Sequence, residues 1–224
     1  MHCTEHTLEK LQYLIRYPEG FDETKKYPTI FLLHGAGGRS DDLAKLKENP
    51  FFQEVEKHEN FPFVVVAPLC SANTWFDLFH LLKELVIYAT SLPFVDEDRF
   101  YGMGPSMGGY GTWHIAMSLP NYFAAIVPIC GGGMYWNAAR LINVPAWAFH
   151  CDGDNVVNWE ESKKMVDAVN KKGGSAKLTI YSAAQHNAWS PTYADPEVFK
   201  WLLSHTNDNS KPIVCRYKDA ETFG

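Results

Sequence analysis

Residues 99–113, RFYGMGPSMGGYGTW, decide the fold of this chain. A short apolar segment enters the glycine-flanked sequence GPSMG at 104–108, and a helix-like segment follows at once. This order predicts a sharp strand-to-helix turn that presents the Ser106 hydroxyl above a sheet, with the backbone in a sparsely populated conformation. Both flanking positions are expected to need glycine, because a Cβ atom there would collide with the tight turn.

A phosphate-binding loop is the alternative interpretation of a glycine-rich turn between a strand and a helix. No Gly-Lys-Ser or Gly-Lys-Thr follows the glycines, so the sequence excludes a P-loop. The dinucleotide-binding pattern G-x-G-x-x-G is met only superficially by Gly104, Met107 and Gly108. The motif therefore favours a serine nucleophile.

The composition is ordinary for a soluble globular protein: 224 residues, 46% hydrophobic, with a formal net charge of -6. We expect a single domain over residues 1–224, with residues 206–224 left unassigned. The acidic balance offers no basic face for nucleic acid or an anionic membrane, and so favours a small, neutral or weakly charged ligand as partner. The oligomeric state is not predicted.

The chain carries no recognisable targeting or membrane segment. Its first ten residues, MHCTEHTLEK, lack the basic start and apolar core of a secretory signal, and the run FPFVVVAPL is too short to span a bilayer. A cytoplasmic protein is predicted, or a secreted one whose leader has been removed.

The five cysteines are an odd number and show no CxxC spacing, so the sequence predicts neither a complete disulfide framework nor a zinc ribbon. Three of them are expected to behave as small buried hydrophobic residues at strand ends: Cys70, Cys130 and Cys151. No metal or other cofactor is expected.

Apolar segments of strand length alternate with longer helical patterns. We predict strands at 11–17, 29–34, 63–68, 99–104, 123–130, 146–151 and 177–182, and helices at 76–88, 107–119, 159–171 and 197–205. Asn158 and Glu161 are predicted to cap the third helix. This alternation predicts a mostly parallel, doubly wound sheet with helices on both faces, whose opening strand joins an antiparallel edge.

A serine hydroxyl is a weak nucleophile until a base removes its proton, so Ser106 requires a histidine, and that histidine requires an orienting carboxylate. After a turn of this kind the order along the chain is serine, acid, histidine. Four of the nine histidines follow the serine: His114, His150, His186 and His205. His186 is the predicted base because it lies in a loop after the last strand, whereas the others fall within or at the end of a helix or strand.

Two aspartates in the loop after strand 146–151 compete as the orienting acid. Asp152 begins an Asp-Gly pair, which turn formation alone explains. Asp154 stands at the far end of the loop and is preferred, with Asp152 kept as the alternative.

Acyl transfer also needs N–H donors for the developing oxyanion. One predicted donor is the backbone N–H of Met107, directly after the nucleophile. The second lies in the loop HGAGGRS, residues 34–40, at Ala36 or, as the fallback, Gly37. His34 precedes the serine and is predicted to hold this loop by hydrogen bonding.

With these residues placed, the chain resembles the α/β-hydrolase superfamily, and within it the compact esterases related to feruloyl and acetylxylan esterases and to polyhydroxybutyrate depolymerases. The matching segments are HGAGGRSDD, VDEDRFYGMGPSMGGYGTW, FHCDGDNVV and HNAWSPTY, within residues 27–203. The acid loop of that group commonly reads Phe-His-Gly, two residues, Asp, which aligns the acid with Asp154, although Cys151 replaces the usual Gly. The resemblance implies the α/β-hydrolase fold, a triad of Ser106, Asp154 and His186, and a small-molecule ester as substrate.

Aromatic side chains on loops at the same sheet edge are predicted to line the substrate cleft: Trp75, Tyr135, Trp136 and Trp189. Such a lining suits apolar or aryl acyl groups, although packing of the loops against one another explains any single ring equally well. No segment between strands is long enough for a large lid, so we expect an open cleft.

The leading hypothesis is a serine carboxylesterase acting on short-chain or aryl esters, including hydroxycinnamoyl esters. One alternative is a peptidase of the same fold, whose usual gating domain would not fit within 224 residues. The other is a non-catalytic binding protein on this scaffold, which a lost triad residue would mark, and none is lost in this sequence.

Overall fold

The computed structural model describes residues 2–183 and 185–207. Its strands form one eight-stranded sheet in the order β1-β2-β4-β3-β5-β6-β7-β8. They are β1 (His2–Leu8), β2 (Leu11–Tyr17), β3 (Tyr27–Leu32), β4 (Val64–Pro68), β5 (Val95–Pro105), β6 (Ala125–Ile129), β7 (Ala146–Cys151) and β8 (Ala176–Tyr181). The predicted strands are all present, and β5 begins earlier than predicted.

The sheet is mostly parallel, as predicted. All pairs from β4 through β3, β5, β6 and β7 to β8 are parallel, whereas β2 runs antiparallel to both β1 and β4. The edge strand β1 was not predicted, because its polar and half-exposed residues carry no continuous apolar pattern. Its backbone pairing with β2 holds it in place.

In the part of the chain that the structure describes, six α-helices cover the two faces of the sheet: α1 (Pro50–Val55), α2 (Phe79–Thr90), α3 (Met107–Ser118), α4 (Glu160–Lys171), α5 (Trp189–Ala194) and α6 (Pro196–Leu203). Helices α2, α3 and α4 pack in one core with Phe31 and Val66. Helices α1, α5 and α6 pack in the other with Ile30 and Val65. Neighbouring residues of β3 and β4 thus enter opposite cores, which explains why these strands are apolar on both faces.

Two short helices and one cap differ from the predictions. Helices α1 and α5 have only six residues each, too few for a helical period to show in the sequence. The predicted Asn158 cap of α4 is wrong, because the residue before the helix is Trp159 and no side chain caps it. Asn158 contributes its backbone carbonyl, which accepts from the Glu161 N–H at 3.0 Å.

The turn between β5 and α3 consists of Ser106 alone. A Cβ atom at Gly104 would lie 2.5 Å from the carbonyl oxygen of Leu33, and one at Gly108 would overlap the same oxygen. The backbone immediately after β3 therefore lies in direct contact with both glycines of the turn. The glycines are needed there for close backbone approach, as the sequence predicts.

The cysteines predicted to be buried are buried: Cys70, Cys130 and Cys151. Cys3 is partly exposed. Cys215 lies outside the described residues, as does the unassigned C-terminal segment from residue 208 onward.

Candidate active site

Ser106 occupies a strained position at the carboxyl edge of the sheet. Its φ of 54° and ψ of -117° are unusual for a residue with a Cβ atom. The backbone N–H of Ser106 donates to the carbonyl of Ile129 at 2.8 Å, which ties the turn to the end of β6. Strain of this kind costs free energy and persists where the surrounding structure enforces it, most often at functional sites.

His186 links Ser106 to Asp154. Its Nε2 atom lies 2.7 Å from Ser106 Oγ, and its Nδ1 atom lies 2.6 Å from Asp154 Oδ2. Asp154 and His186 lie in loops that follow β7 and β8, at the same sheet edge as Ser106. The structure therefore brings together the three residues that the sequence proposes as a triad.

Asp154 is enclosed and held as a carboxylate. Its side chain is fully buried, and Oδ1 accepts from the N–H groups of Val156 and Val157, each at 2.9 Å. Burial opposes ionisation of Asp154, but the hydrogen bonds from His186, Val157 and Val156 outweigh it and hold the pKa of Asp154 below its ordinary value. The group facing His186 is therefore negatively charged at neutral pH.

Asp152, the alternative acid, points elsewhere. Its Oδ2 accepts from the Ser182 hydroxyl at 2.9 Å, and its Oδ1 accepts from the Ala183 N–H at 3.1 Å. These bonds join the acid loop to the segment after β8. Asp152 thus braces the loop that leads to His186.

Two predicted oxyanion donors begin helical turns that meet at Ser106. Met107 is the first residue of α3, and Ala36 is the first residue of a short 3-10 turn, Ala36–Gly38. The N–H of a first helical residue has no partner inside its own helix. A Cβ atom at Gly35 would lie 3.7 Å from Ser106 Cβ, so this loop packs against Ser106.

His34 holds that loop through both ring nitrogens, as predicted. Nδ1 lies 2.7 Å from the Gly35 carbonyl, and Nε2 accepts from the Cys70 N–H at 3.0 Å. Burial lowers the pKa of His34, so its ring is neutral, with the proton on Nδ1. Trp75 donates from Nε1 to the His34 carbonyl at 2.9 Å.

The prediction that Trp75 lines the substrate cleft is wrong. Its side chain is only 1% exposed and packs against the His34 ring at 4.7 Å between centroids. The indole lies in the core, beneath the predicted oxyanion loop, because its N–H group and its ring face both contact His34. It supports this loop from behind and does not reach the cleft.

A cavity of about 680 Å³ opens beside Ser106 and His186. Its walls include apolar side chains from four segments, Leu46, Pro50, Val156, Trp189 and Tyr193. Trp189 meets the His186 ring edge to face at 5.3 Å. Ala36 and Gly37 also line it, whereas Lys45 and Glu48 provide charge at its rim.

Tyr135 and Trp136 are not among the residues that line this cavity. They are 52% and 63% exposed and pack on each other edge to face at 5.4 Å. A second, smaller hollow of about 220 Å³ lies nearby between Phe76, Tyr110, His114 and Met134. Of the four predicted aromatic residues, only Trp189 therefore lines the cavity next to the serine.

Cys130 and His150 also lie beside Asp154, and sequence reasoning assigned neither to the site. One ligand atom from each of these three residues lies within 4.8 Å of the others. Cys130 has a positive φ of 47° and follows β6 directly. Burial raises the pKa of Cys130 to about 12, so its thiol stays protonated beside the carboxylate.

Residues 70–198 match the model of the dienelactone hydrolase family, which is more than half of the chain. The chain belongs to the dienelactone hydrolase family. The family match begins just after β4 and spans Ser106, Asp154 and His186. The α/β-hydrolase fold predicted from sequence is thereby confirmed.

A solved structure described as a thermostable esterase is 32% identical, with a TM-score of 0.76 over 91% of this chain and 63% of that one. A probable dipeptidyl-peptidase 5 of Aspergillus clavatus is 31% identical over 91% of this chain and 35% of its own length. A probable feruloyl esterase C of Aspergillus terreus is 26% identical over 54% of this chain and 46% of its own. The chain spans less than half the length of the curated relatives it matches.

Among residues 2–183 and 185–207, no helix combines the length and the apolar character needed to cross a membrane.

Proposed function

We propose that this protein is a serine carboxylesterase that works through an acyl-enzyme. The observation that carries the proposal is the continuous chain of hydrogen bonds from Ser106 Oγ through His186 to Asp154, at 2.7 and 2.6 Å. A buried carboxylate holds the imidazole so that Nε2 can accept the serine proton. Membership of a hydrolase family and likeness to an esterase structure agree with this chemistry.

In the first half of the reaction, Ser106 Oγ attacks the ester carbonyl carbon while His186 Nε2 takes the hydroxyl proton. The tetrahedral intermediate collapses when the bond between carbon and the alkoxy oxygen breaks, and His186 gives its proton to the departing alcohol. Asp154 stays ionised and stabilises the transient imidazolium.

The developing oxyanion lies near the predicted N–H groups of Met107 and Ala36, with Gly37 as the fallback donor. Both helical turns are anchored, one by β5 and the other by His34 and Trp75. Donors fixed before the reaction stabilise the transition state without further reorganisation.

In the second half, a water molecule gives a proton to His186 Nε2 and attacks the acyl carbon. The bond to Ser106 Oγ breaks, the serine recovers the proton, and a carboxylic acid leaves. No redox change and no external reductant are involved.

The apolar walls of the cavity favour short-chain or aryl acyl groups, including hydroxycinnamoyl groups. Leu46, Val156 and Trp189 offer apolar surface within the 680 Å³ space, and Trp189 offers an aromatic edge next to His186. A planar acyl group stacked on a ring gains roughly 0.5–1.5 kcal/mol beyond burial. Kinetics with acetate, butyrate, palmitate and ferulate esters of one leaving group tests this, and a maximum for palmitate would contradict it.

The contribution of Trp189 can be separated from that of Trp136, an exposed tryptophan outside the cavity. Trp189→Leu should lower the ratio of kcat/KM for ferulate to kcat/KM for acetate, by about 2- to 12-fold if one ring contact is lost. The matched control Trp136→Leu should leave the ratio unchanged, because Trp136 does not line the cavity. An equal change in both variants would contradict the assignment.

The central test of the proposal is Ser106→Ala. Loss of the nucleophile should reduce ester turnover by about 10⁶-fold in a folded protein. An aryl phosphonate should add one mass increment to the wild type, mapped to Ser106, and none to the variant. More than a few per cent residual activity would contradict the mechanism.

A peptidase is the second candidate, favoured by the 31% identity to a probable dipeptidyl-peptidase 5. The same triad can cleave an amide, so the substrate panel should include dipeptidyl amides with the same chromogenic group. Hydrolysis of the amide with a kcat/KM above that of the esters would favour the peptidase.

A further inference from the structure

His150 lies at the end of β7, fully buried, four residues before the predicted acid. Its Nδ1 atom lies 2.8 Å from the Ser162 hydroxyl on α4. Its Nε2 atom lies 2.9 Å from the carbonyl oxygen of Val157 and 3.2 Å from Asp154 Oδ2. The ring therefore lies between helix α4 and the loop that carries Asp154 and Val157, and contacts both.

The hydrogen-bond partners of the His150 ring show that its Nε2 atom carries a proton. The Val157 carbonyl and the Asp154 carboxylate can only accept hydrogen bonds. The lone pair of an unprotonated Nε2 atom would therefore be repelled by both oxygens. The single hydrogen of the Ser162 hydroxyl goes either to the Gly131 carbonyl, at 2.8 Å, or to Nδ1 of His150. In both arrangements the Nε2 atom must carry a hydrogen.

This N–H group acts on Asp154 in two ways. It donates to the carbonyl of Val157, and the N–H group of Val157 in turn donates to Asp154 Oδ1. The two hydrogen bonds together fix the conformation of the acid loop around Asp154. Its positive edge also faces Oδ2, the oxygen that accepts from His186 Nδ1. Both imidazoles thus face one carboxylate oxygen from different sides.

We infer that His150 is a positioning residue for the acid. Its protonated Nε2 atom holds Asp154 in place and stabilises the negative charge of the Asp154 carboxylate. The inference rests on the proposed function, in which Asp154 orients His186. His150 is not among the residues that line the cavity, so we place it behind the substrate site. Its expected effect is on turnover and on the pH dependence, with little effect on binding.

The titratable groups around this carboxylate lie on several elements. Burial lowers the pKa of His150, whereas the Val157 carbonyl and the Asp154 charge raise it. The other groups that act electrostatically on or near Asp154 are the Tyr110 phenol of α3, the Cys130 thiol after β6, the Cys151 thiol of β7 and the His186 imidazole. None of the other four takes the place of the Nε2–H group next to Val157.

The test compares His150→Met, which removes the donor at similar volume, with His150→Gln, which keeps an N–H group. We expect kcat to fall about 10- to 100-fold in the methionine variant with KM within about 2-fold, and the glutamine variant to recover part of it. The acidic limb of the pH profile of kcat should move to higher pH in the methionine variant. Without the His150 N–H group, the negative charge of Asp154 acts on His186 alone. His80→Met, an exposed site on α2, serves as the control.

A second measurement uses the wild-type chain and does not depend on folding of the variants. In ¹⁵N-histidine-labelled protein, Nε2 of His150 should resonate in the range of protonated nitrogens. An unprotonated Nε2, or a folded methionine variant with unchanged kcat and pH profile, would overturn the inference. Failure of the wild type to hydrolyse esters or react with a phosphonate would instead overturn the proposed function.

Discussion

The Nε2 atom of His186 lies 2.7 Å from the Oγ atom of Ser106, although the two residues are 80 positions apart in the chain. The serine is held by the turn between β5 and α3, and the histidine by the loop between β8 and α5. Their approach depends on parallel strands that all deliver their carboxyl ends to one edge of the sheet.

The strain at Ser106 should be measurable in the stability of two inactive variants. Ser106→Gly should be more stable than Ser106→Ala by about 1 kcal/mol, because relief of roughly 1–3 kcal/mol of backbone strain exceeds the 0.5–1 kcal/mol of added chain entropy. Urea unfolding of both variants measures the difference. An alanine variant of equal or higher stability would show that the strain at the φ of 54° costs no more than the added chain entropy of glycine.

Asp154→Asn should reduce kcat by about 10⁴-fold, because an amide cannot hold the imidazole in the tautomer needed for catalysis. Asp152→Asn is the matched control and should stay within about 10-fold of the wild type, since its partners are Ser182 and Ala183. Steady-state kinetics on one ester decides between the two. A severe defect in the Asp152 variant would reassign the acid and leave the serine mechanism standing.

Gly108→Ala should destabilise the protein severely, because the added methyl group overlaps the carbonyl oxygen of Leu33, a backbone atom that cannot move aside. Gly37→Ala is the control, since a Cβ atom there meets nothing within 4 Å. Thermal unfolding should show a large decrease in Tm for the first variant and a change near zero for the second. Equal Tm values would contradict the packing of β3 against the turn.

Stability should fall as the pH drops below about 6.5, because three enclosed histidines are neutral in the folded state. Burial lowers the pKa of His34, His114 and His150 below the ordinary value of 6.5. Between pH 6.5 and the lower folded pKa values, the unfolded chain therefore binds more protons than the folded chain. The free energy of unfolding is full above pH 6.5 and decreases as the pH falls through this range.

Urea unfolding from about pH 8 to about pH 5 measures this slope. His114→Gln should reduce it, because His114 is half-buried between Phe76 and Phe79 and makes no contribution to the proposed triad. His80→Gln, at an exposed position, should leave the slope unchanged. A slope unaffected by His114→Gln would show that this ring does not titrate on unfolding.

Tyr193→Phe should leave stability unchanged or raise it by up to about 1 kcal/mol, because its buried hydroxyl has no hydrogen-bond partner among the described residues. Burial raises the pKa of Tyr193, so the phenol is neutral. Chemical unfolding is the measurement. Because Tyr193 also lines the cavity, KM for the ester panel should be recorded, and a loss of stability would reveal a partner for the hydroxyl.

The sequence alone determined most of the fold and two residues of the proposed triad, Ser106 and His186, and it narrowed the acid to Asp154 or Asp152. Continuous apolar segments identified the buried strands, and the glycines around Ser106 marked the strained turn, because local sterics leave few residues that fit it. The order serine, acid, histidine then selected His186. These are signals that lie within a few neighbouring positions or in chain order, so they can be read without coordinates.

Tertiary structure alone decided the features that depend on the path of distant segments. It separated Asp154 from Asp152 through their hydrogen bonds, because both aspartates fit the same loop by sequence. It placed Trp75 in the core and Trp189 in the cavity, although both follow strands at the same edge. It also showed which atoms face the His150 ring, because packing of α4 and the return of the loop to β7 set these contacts, although His150 is only four positions before Asp154.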